Sequence, residues 1–593
     1  MFSKNPLINL FRYMWHYSFG SKKIVVFFIS FSTIGNLIWL VQPIIIGRVF
    51  DSIQFANQKN PLSFIAYNVL IFILLDVVSW FFHGTSRVAE NKNAFLVRKN
   101  FRLEKFNKVM ALPTSWHKNH HSGDTIDKIN KASDQLFEFS RELFIIIQNM
   151  VKLVASVIIL SLYDVKPLIL VLFCAVIAVA IILKMDKRLI KNYEAINKAE
   201  NYISAGVYDY ISNYITIISL RLKKQAVDEM DSRSMSHFPV SVKSFKLNEL
   251  KWFSASFIIS VMTAGVLFLN AYTSYKSKGV IVIGTLFILY QYLDRIGGAF
   301  YTFAWKYSDV VRQNTAVVAV EGISAEYEKL HLSEKYYLPK DWKVLQIKKL
   351  FFSYKNEEDE KNRKTTLDDV SFNITNGKKI ALIGVSGSGK STVLSLLRGL
   401  HHPDSVKVFC DGKKLKKGLR HLEDYCTLIP QEPEIFNNTI EYNITLGVHT
   451  DRKQLSEVIK LANLTDLIAR LGKGLKTNVL EKGVSLSGGE KQRLALARGL
   501  LAAKSSQILL LDEPTSSVDV ENELKIYQNL FETFRDKVII SAVHSLHLLR
   551  YFDYVYMFKE SRLIAEGDFT TLLNDENFKV LWESYSQEEG ATY

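Results

Sequence analysis

Six apolar stretches in the first half of this 593-residue chain limit its possible folds more than any other feature, because each is long enough to cross a bilayer. A spanning helix needs about 20 mostly apolar residues at about 1.5 Å of rise per residue. The stretches lie at Ile24–Ile46, Leu62–Phe82, Phe144–Leu162, Pro167–Leu183, Trp252–Tyr272 and Val280–Phe303. The fourth is almost pure hydrocarbon, whereas polar residues interrupt the first and the sixth. The first does not read as a cleavable signal: it is too long and lacks a small-residue cleavage site. With 48% apolar and 22% charged residues, a disordered, collagen-like or disulfide-scaffold chain is excluded. Cys174, Cys410 and Cys426 show no CxxC spacing, and a chain of this length needs at least two cores.

The connections between the stretches are unequal. Those after the second and fourth each run to about 60 residues and are rich in Lys and Arg: Arg87, Lys92, Arg98 and Arg102 in one, Lys187, Arg188, Lys191 and Lys198 in the other. The net charge of +15 is therefore read as basic flanks of membrane helices rather than a nucleic-acid surface. Together with Lys22 and Lys23, these residues place the amino terminus, both long loops and the carboxyl half in the cytosol. Each long loop reads as helix, turn, helix. Breakers fall at Leu112-Pro113-Thr114 and Ser122-Gly123-Asp124 in the first, and at Ser212-Asn213-Tyr214 in the second. About 30 residues each way would project roughly 45 Å from the membrane, and the natural partner of such arms is the soluble half of the same assembly.

Residues 1–329 thus read as an all-α six-helix transmembrane domain and 330–344 as a linker containing Pro339. Residues 345–593 read as an α/β domain in which short apolar strands alternate with helices. Its clearest motif is Gly384-Val385-Ser386-Gly387-Ser388-Gly389-Lys390-Ser391, followed by Thr392, which matches GxxxxGK[ST]. It comes after the apolar strand Lys379–Ile383 and leads into an amphipathic helix expected over Thr392–Leu400. Glycines let backbone N–H groups close around phosphate oxygens, Lys390 adds a point charge, and Ser391 offers a hydroxyl to Mg²⁺. Ile508–Leu511 is a buried strand that delivers Asp512 and Glu513 at its carboxyl edge. There Asp512 would hold Mg²⁺, and Glu513 would orient and deprotonate an attacking water. In Leu486-Ser487-Gly488-Gly489-Glu490-Lys491-Gln492-Arg493, a second helix start offers free N–H groups to another phosphate.

With these three motifs behind six spans, the chain resembles the ATP-binding cassette (ABC) transporters, specifically half-transporters of the exporter type, over essentially its whole length. The resemblance implies that Tyr354 stacks on adenine. It implies that Gln431 contacts Mg²⁺ and links to the membrane arms, the run Phe436, Thr439-Ile440, Asn443-Ile444 belonging to the same loop. It also makes His544 the switch histidine at the γ-phosphate and Ser516–Asp519 the loop that crosses to the other cassette. Glu490 stands where glutamine is commonest, Ser545 follows His544 where arginine is common, and Leu480 replaces a frequent glycine before Glu481. None of these removes a group that touches phosphate or metal. His547 is read as a surface helix residue, and the pairs His120-His121 and His401-His402 are not read as metal sites.

In this family the signature serine of one cassette closes over the ATP held by another, so one chain cannot complete a site. Because Lys390, Gln431, Ser487, Glu513 and His544 are all present, the expectation is a homodimer, with a heterodimer as the alternative. Coupling turns are expected near Pro113–Asp124 and Tyr210–Ser219. An integral protein of a bacterial inner membrane is expected, exporting or flipping a lipid or amphipathic, drug-like cargo. A soluble ABC protein acting on nucleic acid is excluded by the spans, and the short segment before the first span leaves no room for a peptidase domain. A channel or regulator, or a siderophore importer on the same fold, is the rival reading. Asp76, Lys152, Asp294 and Arg295 lie inside spans, where each charge costs about 2.5–3.5 kcal/mol at the bilayer centre, so they should face the bundle interior, pair, or sit near an interface.

Overall fold

The computed structural model describes residues 5–55, 60–120, 122–163, 165–330, 336–354, 365–479 and 486–588. The chain divides into two compact units: a helical one, made of the residues up to Leu112 and His117–Leu330, and an α/β one, made of the residues beyond Leu330 together with Pro113–Trp116. Leu480 and Glu481 lie outside the described residues, as does His121.

The helical unit begins with α1 (Pro6–Tyr17), opened by Pro6 and capped by the Asn5 side chain, which accepts from the N–H groups of Leu7 and Ile8. It continues with α2 (Lys22–Trp39), α3 (Gln42–Phe55), α4 (Pro61–Met110), α5 (Thr114–Asn119), α6 (Ser122–Arg141) and α7 (Leu143–Tyr163). Next come α8 (Val165–Ser212), α9 (Tyr214–Ser219), α10 (Lys223–Met235), α11 (Phe238–Lys278), α12 (Ile283–Ala319) and α13 (Glu321–Lys329). The first apolar stretch is thus two helices, broken at Leu40-Val41 just before Pro43. Pro113 separates α4 from α5, and Gly279 ends α11 in the left-handed region at φ +68.

Five helical stretches among the described residues are long and apolar enough to cross a membrane: Lys22–Phe55, Pro61–Met110, Ser122–Tyr163, Leu168–Ser212 and Lys223–Ser277. The sixth expected span falls in α12, whose 37 residues include Gln291, Asp294 and Arg295 and do not reach that apolarity. Leu289, Tyr292, Leu293 and Ile296 of α12 nevertheless form a buried cluster with Leu40, Leu160, Val171, Met262 and Val266. Small residues bring the helices close: a Cβ on Gly284 would lie 2.2 Å from the Gly47 carbonyl oxygen, where α3 crosses α12. The long polar parts of the helices are pinned by ion pairs. Lys251 on α11 meets Asp186 on α8 at 3.0 Å, Lys105 on α4 meets Glu321 on α13 at 2.9 Å, and Lys306 on α12 meets Glu142.

The α/β unit contains two sheets. The strands are β1 (Val344–Ser353), β2 (Thr365–Thr375), β3 (Lys379–Gly384), β4 (Ser405–Cys410), β5 (Lys413–Lys414), β6 (Cys426–Ile429), β7 (Ile508–Asp512), β8 (Val538–Ala542), β9 (Tyr554–Lys559) and β10 (Arg562–Gly567). One sheet is antiparallel in the order β2-β1-β4-β5; the other runs β10-β9-β3-β8-β7-β6 and is parallel except for β10. Successive residues of β3 and β7 serve opposite cores. Ile380, Leu382, Ile508 and Leu510 face one, and Ala381, Ile383, Leu509 and Leu511 the other. Covering on both faces is why these strands read as unbroken apolar runs.

The helices are α14 (Lys390–Leu397), α15 (Ile440–Thr445), α16 (Arg452–Leu461), α17 (Thr465–Arg470), α18 (Gly488–Ala503), α19 (Val520–Thr533), α20 (Phe569–Leu572) and α21 (Glu576–Glu588). The helix expected over Thr392–Leu400 instead starts at Lys390 and stops at Leu397, ahead of Gly399 at φ +80. It is enclosed on most sides rather than amphipathic, because Val393, Leu394, Leu396 and Leu397 pack in one core with residues of both sheets.

Lysine ammonium groups close two open helix ends. Lys537 Nζ donates to the carbonyls of Ala503, Lys504 and Ser506 at 2.6–2.7 Å, finishing α18, and Lys379 Nζ does the same for Phe534 and Arg535 beyond α19. Replacing Lys537 by Met leaves three acceptors without their charged donor, so the cassette should lose about 1.5–3 kcal/mol. Calorimetry of the full chain should show its thermal transition at a lower temperature; an unchanged midpoint would contradict the capping role.

Candidate nucleotide site

The loop Gly384–Gly389 leaves β3 and feeds directly into α14. Gly384, at φ +141, has no room for a side chain, since a Cβ there would stand 2.1 Å from the Phe558 carbonyl oxygen on β9. Gly389, at φ +109, is confined by Leu367 at 2.6 Å. Lys390 is 6% exposed and curls back over the loop, its Nζ donating to the carbonyls of Gly384 at 2.8 Å and Val385 at 3.3 Å. Burial pushes its ammonium below the usual lysine range, and the carboxylates of Glu513 and Asp512 act against that shift.

Ser391, on the first turn of α14, donates from Oγ to Asp512 Oδ1 at 2.7 Å. Burial raises the Asp512 carboxyl above the ordinary aspartate range, while the bond from Ser391 pulls it down. Glu513 follows immediately, at φ +45, a conformation uncommon for a residue bearing a Cβ. Its Oε2 accepts from Gln431 Nε2 at 2.9 Å. The loop, Lys390, Ser391, Gln431, Asp512 and Glu513 are therefore one constellation at the carboxyl edge of the parallel sheet. Tyr354 stands just past β1, its hydroxyl 3.4 Å from Thr392 Oγ1 and its ring edge-on to Phe352 and His401. His544 is exposed just beyond β8.

A second constellation surrounds the start of α18. Ser487 is the N-cap in a reciprocal capping box: its Oγ accepts from the Glu490 N–H at 3.3 Å, and Glu490 Oε2 accepts from the Ser487 N–H at 2.8 Å. The other carboxylate oxygen of Glu490 takes a 2.7 Å bond from Arg470 on α17. These contacts, the Ser487 backbone bond first, hold the Glu490 carboxyl below its usual range. Gly489 is pressed against the Ser516–Asp519 loop, where a Cβ would come within 2.6 Å of the Ser517 carbonyl oxygen.

Several contributors escape sequence reading. Gln492 bridges the two constellations: its Nε2 donates to Ser516 Oγ and its Oε1 accepts from the Ser517 N–H, both at 2.8 Å. Arg498 donates to the carbonyls of Glu434 and Asn443, holding the chain that follows Gln431. His547 is not a surface residue. It sits half-buried in a short 3₁₀ helix, Leu546–Tyr551, with Nε2 3.6 Å from Glu523 Oε2, because that helix packs its leucines into the core. Gln492 lies within the motif that opens α18, but its bonds to Ser516 and Ser517 have no local signal, and nothing local marks Arg470 or Arg498.

Residues 25–299 match the sequence model of the ABC transporter transmembrane region, and residues 367–516 match that of the ABC transporter cassette. The chain belongs to the ABC transporter family, as an exporter-type half-transporter that binds and hydrolyses ATP and is integral to a membrane. It is 27% identical over 585 residues to ABC transporter B family member 6 of Dictyostelium discoideum, covering 94% of this chain and 83% of that protein. It is also 27% identical to the ATP-dependent lipid A-core flippase of Vibrio parahaemolyticus, over 84% of this chain and 86% of that one. The structure of a bacterial Atm1-family ABC exporter with ATP bound superposes with a TM-score of 0.83 at 23% identity, covering 95% of this chain and 98% of that one. That superposition shows the fold: a helical transmembrane domain followed by an α/β cassette.

The capping box yields a test. Glu490→Gln keeps an acceptor for the Ser487 N–H and loses only the charge facing Arg470, whereas Glu490→Ala removes both. At about 1 kcal/mol for a lost cap, Glu490→Ala should lower steady-state ATP turnover about five-fold, with Glu490→Gln close to wild type. Equal losses in the two variants would show that charge, not capping, is what Glu490 supplies.

Proposed function

We propose that the chain is one half of a homodimeric exporter in which two copies share two ATP sites and use ATP turnover to move a lipid or amphipathic cargo across a bacterial inner membrane. The amino terminus and the cassette lie on the cytoplasmic side. Tyr354 stacks on adenine, the N–H groups from Gly384 to Thr392 and the Lys390 ammonium hold the phosphates, and His544 contacts the γ-phosphate. Ser487, Gly488 and Gly489 close over the ATP of the other copy. The observation that carries the reading is the Gln431–Glu513 bond beside the Ser391–Asp512 bond, a held carboxylate next to a hydroxyl–carboxylate pair.

The residues suit the groups assigned to them. Ser388 is 2% exposed and its Oγ has no hydrogen-bond partner among the described residues, although it lies in the loop a phosphate would enter. A hydroxyl, an amide oxygen and a carboxylate are hard oxygen donors of the kind Mg²⁺ takes alongside nucleotide phosphates, so Ser391, Gln431 and Asp512 would hold that ion. When bound, it supplies charge neutralisation at the phosphates. Glu513 orients a water and accepts its proton, and Gln431 keeps that carboxylate in place. The carboxylate also sits close enough to Lys390 to perturb it, so an arriving triphosphate competes with it for the same ammonium.

Cassette closure drawn together by two triphosphates turns the membrane cavity outward, and hydrolysis reopens it. The short helices α5 and α9, between long helices near Pro113–Asp124 and Tyr210–Ser219, are assigned the role of passing that motion on. The cargo assignment draws support from the relative named as a lipid A-core flippase.

Reconstituted in nanodiscs, the protein should turn over Mg²⁺-ATP steadily. Glu513→Gln should reduce that rate at least about 100-fold while ATP still binds, as expected for loss of a general base. Undiminished turnover in that variant would remove Glu513 from its role.

The paired arrangement has its own check. A chain carrying Ser386→Cys and Gly488→Cys should cross-link into covalent dimers when ATP is trapped by Glu513→Gln. Full turnover by a solitary protomer, with no cross-link, would overturn the homodimer.

A further inference from the structure

Inside the helical unit, a cavity of about 400 Å³ is lined by charged, polar and apolar residues. Lys152 on α7 and Asp294 and Arg295 on α12 are the charged ones; Trp39, Pro43, Ile46 and Phe72 are among the apolar ones. Three of the four charged residues that the sequence placed inside spans therefore border one chamber. The fourth, Asp76, borders a separate cavity of about 220 Å³ that shares only Trp39 with the first.

The two cations are held in an unusual way. Lys152 Nζ lies 5.0 Å from the centre of the Trp39 ring, and the Arg295 guanidinium carbon lies 4.4 Å from it. Arg295 also approaches Tyr292, at 5.7 Å, and Tyr292 is itself anchored by its hydroxyl donating to the Leu40 carbonyl at 2.6 Å. Neither cation has an ion-pair partner among the described residues, and Arg295 Nη1 is enclosed with no hydrogen-bond acceptor among them. An aromatic face offsets part of the cost of a cation in an apolar setting, yet it satisfies none of the N–H donors. Asp294 lines the same cavity without an ion-pair contact to either cation, so two cations and one carboxylate leave the wall with an excess positive charge that is costly at membrane depth and that an anion would offset.

We propose, resting on the exporter function above, that this cavity binds the anionic head of an amphipathic cargo. Its carboxylate or phosphate oxygens meet the Arg295 guanidinium and the Lys152 ammonium where they border the cavity, and its apolar body lies along Trp39, Pro43, Ile46 and Phe72. Asp294 borders the same chamber and disfavours a second negative charge, which sets the preference towards a head with few charges.

The test uses the full chain in phosphatidylcholine nanodiscs without nucleotide, reading direct binding of 1-oleoyl lysophosphatidic acid and of 1-oleoyl lysophosphatidylcholine, which share one acyl chain. The anionic probe should bind about ten-fold more tightly, the size of a charge-assisted contact. Lys152→Gln with Arg295→Gln should abolish the difference, and Lys152→Arg with Arg295→Lys should preserve it. Asp294→Asn should tighten the anionic probe about three-fold by removing a like charge. This last variant and the charge-preserving pair keep the outcome decisive should the neutralised protein fail to fold. Inorganic phosphate at millimolar concentration should not displace the probe; displacement would mean a free-anion site and sink the amphipathic assignment. Equal binding of both probes in a protein that still hydrolyses ATP would overturn the inference and leave the exporter function standing, whereas absence of ATP turnover would strike at that function itself.

Discussion

The parallel pairing of β3, β8 and β7 is the constraint from which the nucleotide site follows. Ala542 on β8 is in register with Leu382 on one side and Asp512 on the other, so the ends of β3 and β7 emerge level at the same sheet edge. Only then can Ser391, on the first turn after the β3 loop, reach the carboxylate of Asp512. The same sheet explains Gly384, which pairs with Phe558 on β9 across a gap too narrow for a Cβ. A one-residue slip of β7 would move Asp512 by about 3.3 Å and turn every apolar side chain of the strand to the opposite core. The hydrophobic cores on the two faces forbid that slip, so water-excluding contacts far from any phosphate set the positions of the charged groups.

Glu513 is the first residue released from that register, and its left-handed backbone is maintained by what surrounds it. Its N–H donates to the Ala542 carbonyl at 3.3 Å, its carbonyl accepts from Ser516, and its side chain accepts from Gln431. Ser516 is held in turn by Gln492, one turn into the helix that Ser487 caps. Glu513 and the start of α18, to which the proposed function gives roles at two different ATP sites, are thus joined within one chain by hydrogen bonds. A tilt of α18 must pull on the loop that follows Glu513, which gives closure at the signature a physical route to the geometry of the acid.

The sequence shows this arrangement unevenly, for physical reasons. Glycine spacing, a lysine after it and an apolar run ending in two acids are local patterns, so the loop, β3, β7 and the start of α18 can be read directly from residues. The partners of those residues come from far along the chain. Arg470 reaches Glu490, Gln431 reaches Glu513, and Lys537 caps a helix ending more than thirty residues earlier; no periodicity signals such pairings. His547 departs from the surface-helix expectation because a 3₁₀ turn follows β8 and tucks its neighbours into the core. α14 ends at Leu397, earlier than its apolar pattern through Leu400 suggests, because Gly399 takes a left-handed backbone. In the membrane half the sixth stretch reads as a span although polar residues interrupt it, and α12 carries it with Gln291, Asp294 and Arg295 bordering an internal cavity.

Ion pairing separates two kinds of buried cation in the helical unit. Lys251, Lys105 and Lys306 are almost fully enclosed, and each has a carboxylate from elsewhere in the bundle against its ammonium: Asp186 on α8, Glu321 on α13, and Glu142 at the junction of α6 and α7. Removing either partner of such a pair strands a charge and costs about 3–5 kcal/mol, so these residues tie the long helices together. Lys152 and Arg295 border one cavity with Asp294, yet the contact against each cation is an indole ring rather than an ion-paired carboxylate. A residue kept only for packing at that depth would be better uncharged, since an apolar side chain of similar volume carries no desolvation cost. Two cations left in this state are accounted for by a ligand that brings the opposite charge and leaves with it. A reversible charge match of that kind suits a carrier better than a permanent salt bridge, because the site must let go of what it holds once the bundle opens.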